Sequence, residues 1–360
     1  MDQWLDGSRP TREGEELDMA KLESYLHEHL AESRGKSLVI EQFPSGFSNL
    51  TYLIRCGDLE MVLRRPPFGN RVKSAHDMGR EHRVLSALES VFPPAPKPYL
   101  YCDDEDVLGA PFYVMERRKG VILRRKLPKG LDLRPVIAER LSQNFIECLA
   151  DLHTLDYRAA GLEDLGKPKG YVERQTQGWV KRYTKAQTDN WPEFDQIGAW
   201  LLDNIPTSSG AALIHNDYKY DNVLLDPNDL TRLVGVLDWE MCTLGDPLMD
   251  LGTTLAYWVQ ADDPPELIGA AFGPTAVPGS WTRAQLAEHY AAKTAAKTGI
   301  DTSNLLFYMC FGYYKLGVIV QQIYYRYFKG HTQDPRFAQL NHMVGLLGKA
   351  AAHTLSRGHI

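Results

Sequence analysis

A chain of 360 residues is long enough for one large domain or for two lobes. With 44% apolar and 24% charged residues, its composition is that of a soluble globular protein and excludes wholesale disorder. A net charge of -6 and a pI near 6.0 argue against nucleic acid as a partner, because phosphate backbones are met by basic faces.

The first sixteen residues read as a polar arm, and Leu17 to Leu30 as a short amphipathic helix. Three strand-like segments follow, Leu38–Phe43, Leu50–Cys56 and Met61–Arg64, rich in Val, Ile, Leu and Tyr. Pro-Ser-Gly-Phe-Ser-Asn supplies the turn between the first two, and Gly57-Asp58 the next. Ser74–Leu88 is predicted as a helix with Ala75, Met78, Val84 and Leu88 on one side. The proline-rich piece Phe92–Pro98 excludes regular helix and leads to two more strands, Tyr99–Cys102 and Phe112–Met115. After Gly120 the chain turns helical over Val136–His153, Pro192–Asn204, Pro247–Trp258, Arg283–Thr298, Asn304–Tyr327 and Arg336–Leu355, with a loop over Asp262–Ser280. A strand-rich island, Leu213–Leu237, interrupts these helices. The layout is therefore α+β: an arm and helix over 1–36, a small sheet lobe over 37–116, and a larger helical lobe over 117–360. Ligands usually sit in the cleft between lobes, here expected at the connector Glu116–Gly120.

Five scattered cysteines, none in a C-x-x-C pair, suit reduced thiols better than a disulfide framework or a zinc site. The polar N-terminus carries no signal-peptide pattern, and no run approaches the roughly 18 apolar residues that span a bilayer. A cytoplasmic protein with no membrane partner is the expectation.

The densest polar signal is Leu213-Ile214-His215-Asn216-Asp217-Tyr218-Lys219-Tyr220-Asp221-Asn222-Val223-Leu224-Leu225. An apolar entry leads to His-x-Asp, then four residues, then Asn and an apolar exit. A second apolar strand, Leu233–Leu237, ends in Asp238-Trp239-Glu240. A strand–turn–strand would bring Asn222 and Asp238 together. Alone, His-x-Asp is usually a hydrogen-bonded loop pair; the spacing, the flanks and the second strand together point to phosphoryl transfer. That reaction needs alignment and charge neutralisation more than covalent help. Magnesium prefers hard oxygen ligands, which the Asn222 amide and the Asp238 carboxylate offer. Asp217 suits the base that orients an acceptor hydroxyl and takes its proton. Lys219 is within reach of a transferring phosphate, and His215 completes the catalytic candidates.

These residues resemble the catalytic loop and metal segment of the aminoglycoside phosphotransferase and choline kinase superfamily, a branch of the protein-kinase-like fold. The likeness runs from about Leu38 to Trp258. The run from Leu237 through Gly245-Asp246-Pro247-Leu248-Met249-Asp250-Leu251-Gly252 is similar to a subgroup whose kinase-like domain is associated with acyl-CoA dehydrogenases. The resemblance implies a bilobal fold, ATP and Mg2+ as cofactors, and a small-molecule hydroxyl acceptor. It assigns Ser45, Gly46, Ser48, Asn49 and Thr51 to the loop over the phosphates. Arg64 takes the place where most relatives carry Lys, a fork in place of a point charge, with Glu81 as its ion-pair partner. Met115, Glu116 and Arg118 fall in the connector that meets adenine. Asp250 is implied to brace the catalytic loop, and Asp246 before Pro247 is a natural helix cap. An acyl-CoA dehydrogenase and a second copy of the chain are the protein partners it allows.

The run Arg117-Arg118-Lys119, continued by Arg124-Arg125-Lys126, reads either as a solvated face or as a receiver for an anionic acceptor such as a hydroxyacyl-CoA or hydroxy acid. Polycationic aminoglycosides call for acidic pockets instead. Choline, sugar or aminoglycoside phosphorylation remains the alternative within enzymes. A nucleotide-binding pseudokinase that regulates a partner is the alternative outside them. Aromatic residues crowding the distal helices, with Tyr257 and Trp258 before them, read mostly as core, with a few walling the acceptor pocket.

Overall fold

The computed structural model describes residues 4–44, 49–68 and 77–360. Helix α1 (Met19–His29) opens where the Asp18 side chain accepts the Lys21 N–H, the satisfaction an N-terminal cap supplies. It leads into β1 (Leu38–Gln42), β2 (Leu50–Cys56) and β3 (Leu59–Arg65). Next come α2 (Met78–Leu88), capped by Asp77, then β4 (Pro98–Cys102), the one-turn α3 (Glu105–Leu108) and β5 (Phe112–Glu116). Helices α4 (Pro135–His153), α5 (Tyr171–Ala186) and α6 (Pro192–Asp203) follow. Four short strands come after them: β6 (Ala212–Ile214), β7 (Val223–Leu225), β8 (Leu233–Val236) and β9 (Thr243–Gly245). The last helices are α7 (Pro247–Tyr257), α8 (Pro265–Gly269), α9 (Arg283–Thr298), α10 (Leu305–Phe328) and α11 (Leu340–Arg357).

The expected elements are present with small shifts at their ends, apart from the start of the helix expected at Ser74, with Ala75, which lies outside the described residues. Helix α5 is an addition: Tyr171, Val172, Thr176, Trp179, Tyr183 and Ala186 form its buried stripe. That stripe keeps helical spacing but is written in aromatic and small residues among Gln, Arg and Lys. Strand β9, three residues long, pairs antiparallel with β6, and α8 forms within the expected Asp262–Ser280 loop.

Contacts divide the chain into two compact units, each assembled from separate stretches. The first comprises Met1–Ile122, Ala159–Leu162 and Val223–Cys242. Its antiparallel sheet has the order β1-β2-β3-β5-β4. Leu22 and Leu26, one turn apart on α1, pack into one core with Tyr52, Ile54, Met61 and Leu63, so the helix after the arm is part of the fold. The β7–β8 hairpin, expected inside the helical lobe, groups with this sheet unit. Val121 and Leu225 exchange backbone hydrogen bonds of 2.8 and 2.9 Å, and the Val236 N–H donates to Pro94 O at 2.8 Å.

The second unit comprises Leu123–Arg158, Glu163–Asn222 and Thr243–Ile360. Helix α10 packs against α5, α6, α7 and α11. Its approach to α7 is set by backbone contact. A Cβ on Gly312 would lie 2.3 Å from Gly252 O, and one on Gly252 2.2 Å from Tyr308 O. Gly312→Ala should therefore cost about 1–3 kcal/mol through overpacking. Urea titration checks this; an unchanged midpoint would mean that the two helices part freely.

All five cysteines are buried, and none forms a disulfide. Among the described residues, no helix is long and apolar enough to cross a membrane.

Candidate functional site

In the second unit, β6 ends at Ile214 and the chain turns sharply. Asn216 makes the turn with φ 68°, a left-handed conformation that Asn tolerates better than most side chains. Its N–H donates to Asp250 Oδ1 at 2.8 Å, and the His215 N–H donates to Asp250 Oδ2 at 2.6 Å. Asp250 itself is fully buried on α7. Burial opposes its charge. The His153 hydrogen bond, with the charges of His153, His215 and Lys315, nevertheless holds its carboxyl below the usual range. His153 bridges Asp250 Oδ2, at 3.1 Å, to the Tyr290 hydroxyl, at 2.7 Å.

The turn delivers Asp217 into a set of donors. Its Oδ1 accepts the Tyr257 hydroxyl at 2.8 Å. Its Oδ2 accepts the Asn222 side-chain amide at 2.9 Å and pairs with Lys219 Nζ. Asn222 Nδ2 also donates to Asp217 O at 2.8 Å. With its nitrogen committed twice, Asn222 has its amide oxygen left for a cation. Tyr257 is the residue whose contact with Asp217 sequence reasoning missed, having placed it among aromatics read mostly as core with a few walling the acceptor pocket. The signal was helical spacing: Asp250, Thr254 and Tyr257 share one face of α7. All three meet the loop, Thr254 Oγ1 by donating to Tyr218 O at 3.1 Å. His215 calls for a correction. It is completely buried and meets Asp217 by accepting its N–H at Nδ1, 3.3 Å away, so it supports the loop from behind and has no surface for substrate. A small recess lies beside the loop, lined by Lys219, Tyr220, Tyr257, Phe145, Trp258 and Phe272 among others.

In the first unit, β3 carries Arg64 into a group of acids. Its guanidinium lies 3.5 Å from Glu81 on α2, 3.0 Å from Asp238 and 3.7 Å from Glu240. The Arg64 side chain is 10% exposed and that of Glu81 1%. Burial works against the Arg64 cation, yet these carboxylates hold its pKa well above the ordinary value. Burial pushes the Glu81 carboxyl up, and Arg64 offsets part of that rise. Asp238, like Asn216, has a positive φ, 67°. The Asn49 side-chain amide donates to Glu240 Oε2 at 2.7 Å, and Thr51 is the register partner of Arg64 across β2–β3. Ser45, Gly46 and Ser48 lie outside the described residues.

Breaking this buried group should be costly. Arg64→Met leaves Glu81 without its cation and should destabilise the protein by about 3–5 kcal/mol. Chemical denaturation measures it, and a loss under about 1 kcal/mol would show the pair to be as weak as a surface bridge.

Met115 and Glu116 pair with Val62 and Met61 at the end of β5. Arg118 does not point a free cation at a ligand. It donates to Glu116 Oε2 at 2.9 Å, Val234 O at 2.8 Å and Pro93 O at 2.6 Å, tying the connector to the hairpin. Nor is the basic run a single patch: Arg117 donates to Asp6 O, and Lys119 pairs with Glu60 at 2.9 Å.

The donor chemistry fits the implied cofactors. An amide oxygen and a carboxylate are hard ligands of the kind magnesium takes. Arg64 Nε is a buried donor with no hydrogen-bond partner among the described residues, and an anionic oxygen would satisfy it.

Residues 39–289 match the model of the Phosphotransferase enzyme family. The chain belongs to this family. Acyl-CoA dehydrogenase family member 11 of Rattus norvegicus is 34% identical to it over 332 residues, covering 88% of this chain and 41% of the relative. The phosphotransferase-family chain thus spans about two fifths of the length of that curated relative. A candidate aminoglycoside phosphotransferase from Ralstonia eutropha has a similar structure, with a TM-score of 0.79 and 30% identity over 95% of this chain and 99% of that one. Choline kinase from Cryptosporidium parvum shares the fold, at a TM-score of 0.62 and 12% identity over 95% of each chain. So does aminoglycoside phosphotransferase APH(4)-Ia, solved with AMP-PNP and hygromycin B, at a TM-score of 0.58 and 17% identity over 93% of this chain and 98% of that one.

Proposed function

We propose that the chain phosphorylates a hydroxyl group on a small molecule at the expense of ATP. The observation that carries this reading is the Asp217 carboxylate. In a member of a phosphotransferase family, it is held on one oxygen by Tyr257 and on the other by Asn222 and Lys219. A carboxylate so fixed can accept a hydrogen bond from an incoming hydroxyl and take its proton as the oxygen attacks phosphorus. Lys219, paired with that carboxylate, is the cation that would meet the developing charge on the transferred group. Asn222 and Asp238 would hold the metal, and Arg64 the phosphates, where bound magnesium–ATP supplies the phosphoryl group and neutralises its charge. The relative solved with AMP-PNP supports the choice of nucleotide.

The lining of the recess favours an acceptor with an apolar body and a neutral or anionic charge. Aromatic walls and Lys219 face it, with no carboxylate in the lining among the described residues. With relatives named for acyl-CoA dehydrogenases, this supports a hydroxy acid or hydroxyacyl-CoA as acceptor, and a dehydrogenase as functional partner. Arg117, Arg118 and Lys119 are engaged by internal partners, as Lys219 is by Asp217, so an anionic group on the acceptor would have to share Lys219 with that carboxylate.

A second reading, nucleotide binding without transfer, draws on Arg64, which three carboxylates already surround. ADP release measured against hydroxyacyl-CoAs, hydroxy acids, choline, sugars and aminoglycosides separates the readings. Stimulation by hydroxy acids or their thioesters is expected. Stimulation by choline or aminoglycosides alone would overturn the acceptor assignment, and silence with magnesium–ATP bound would favour the second reading.

A further inference from the structure

Helix α10 carries a lysine where its neighbours are apolar. Lys315 lies in the run Tyr313-Tyr314-Lys315-Leu316-Gly317-Val318 and is 4% exposed. Its Nζ donates to the main-chain oxygen of Asn216 at 2.8 Å. A Met or Leu of similar volume would fill the place without desolvating an ammonium, so packing does not account for this residue. Burial is the main cause that pulls its pKa down to about 8. Asp250 of α7 and Asp217 of the loop pull the other way, while Lys219 and Arg182 of α5 add to the lowering.

What Lys315 touches explains its presence. Asn216 immediately precedes Asp217 and holds a left-handed backbone that costs a non-glycine residue free energy. Its N–H is fixed by Asp250, and its side-chain amide lies 3.3 Å from the Tyr171 hydroxyl. Its carbonyl is fixed from the opposite helix by Lys315. We infer that Lys315 is a positioning residue: its ammonium clamps the Asn216 carbonyl, holds that residue in its left-handed turn, and so aims the Asp217 carboxylate. The effect on turnover rests on the phosphotransfer reading; the clamp itself does not.

The test is Lys315→Met, alone and combined with Asn216→Gly, because glycine takes the left-handed turn without strain. Turnover is read with the acceptor found in the panel, or as magnesium–ATP hydrolysis, and amide exchange is read over residues 216–222. Lys315→Met should lower kcat about tenfold to a hundredfold, the scale of a misplaced catalytic group. It should leave KM for ATP within about twofold, since the nucleotide contacts stay in place. Exchange in the loop should rise while that of α7 and α11 stays unchanged. In the Asn216→Gly background the same substitution should cost much less in both readouts, which a general packing role would not produce. Lys315→Gln, a milder lesion that keeps an N–H donor on a shorter arm, should move both readouts in the same direction and serves if the Met variant fails to fold. Loop exchange unchanged by loss of the lysine, or raised equally with glycine at 216, would overturn the inference. Exchange that rises and is rescued, with no ATP turnover in any form including the unaltered protein, would uphold the clamp and sink the phosphotransfer reading.

Discussion

Asp217→Asn is expected to lower turnover by roughly two or more powers of ten, the contribution of a positioned base, while magnesium–ATP still binds. The substitution keeps size and shape. An Asn in this place can still accept the Tyr257 hydroxyl through its oxygen, and Asn222, which loses its acceptor at Oδ2, still donates to the main-chain oxygen of residue 217, so the loop should keep its course. What it loses is the anion that takes the proton and the partner of the Lys219 ammonium. The effect should therefore fall on kcat, with KM for ATP little changed. Single-turnover kinetics beside calorimetric titration with ATP separates the two. A loss below about tenfold would mean that Asp217 only orients the acceptor, or that the proton leaves by another route.

Asp238→Ala should act on binding instead. Asp238 follows the β7–β8 hairpin in a left-handed turn, with Oδ1 held 3.0 Å from Arg64. Removing it deletes the carboxylate proposed for the cation and one of the three acids around Arg64. Nucleotide affinity should fall by about a hundredfold or more, since even outer-sphere losses at metal sites cost 10–100-fold, and what remains should no longer depend on magnesium. Titration of ATP with and without magnesium measures this. Tight binding that still requires the metal would overturn the assignment of Asp238.

Asn216 and Asp238 are the non-glycine residues with positive φ among those described. One precedes the proposed base, and the other is a proposed ligand. Backbone strain of this kind persists only where surrounding contacts over-determine it. The pinning of Asn216 by Asp250 and Lys315, and of Asp238 by Arg64, shows what holds it in place.

Much of this was legible in the sequence because it is local. Runs rich in Val, Ile, Leu and Tyr marked the sheet, helical spacing marked α2, and the His-x-Asp motif with Asn after four further residues marked the loop that gathers donors around Asp217. Other features depend on partners far along the chain. Tyr257 reads as one aromatic among many, most of them core, until α7 is seen to face the loop, forty residues from Asp217. Lys315 is not singled out in the sequence, because its carbonyl partner lies 99 residues away. Arg117 and Lys119 read as a basic patch until Asp6 and Glu60 are found against them. Spacing also named His215 correctly as part of the loop but could not say that its side chain faces inward.

The most direct measurement of the central claim is phosphorus NMR of the protein with magnesium–ATP and each acceptor class. The expected result is one phosphomonoester resonance on a hydroxy acid or its thioester for each ADP formed, absent with Asp217→Asn. ATP that binds and stays intact with every acceptor, in both proteins alike, would contradict it.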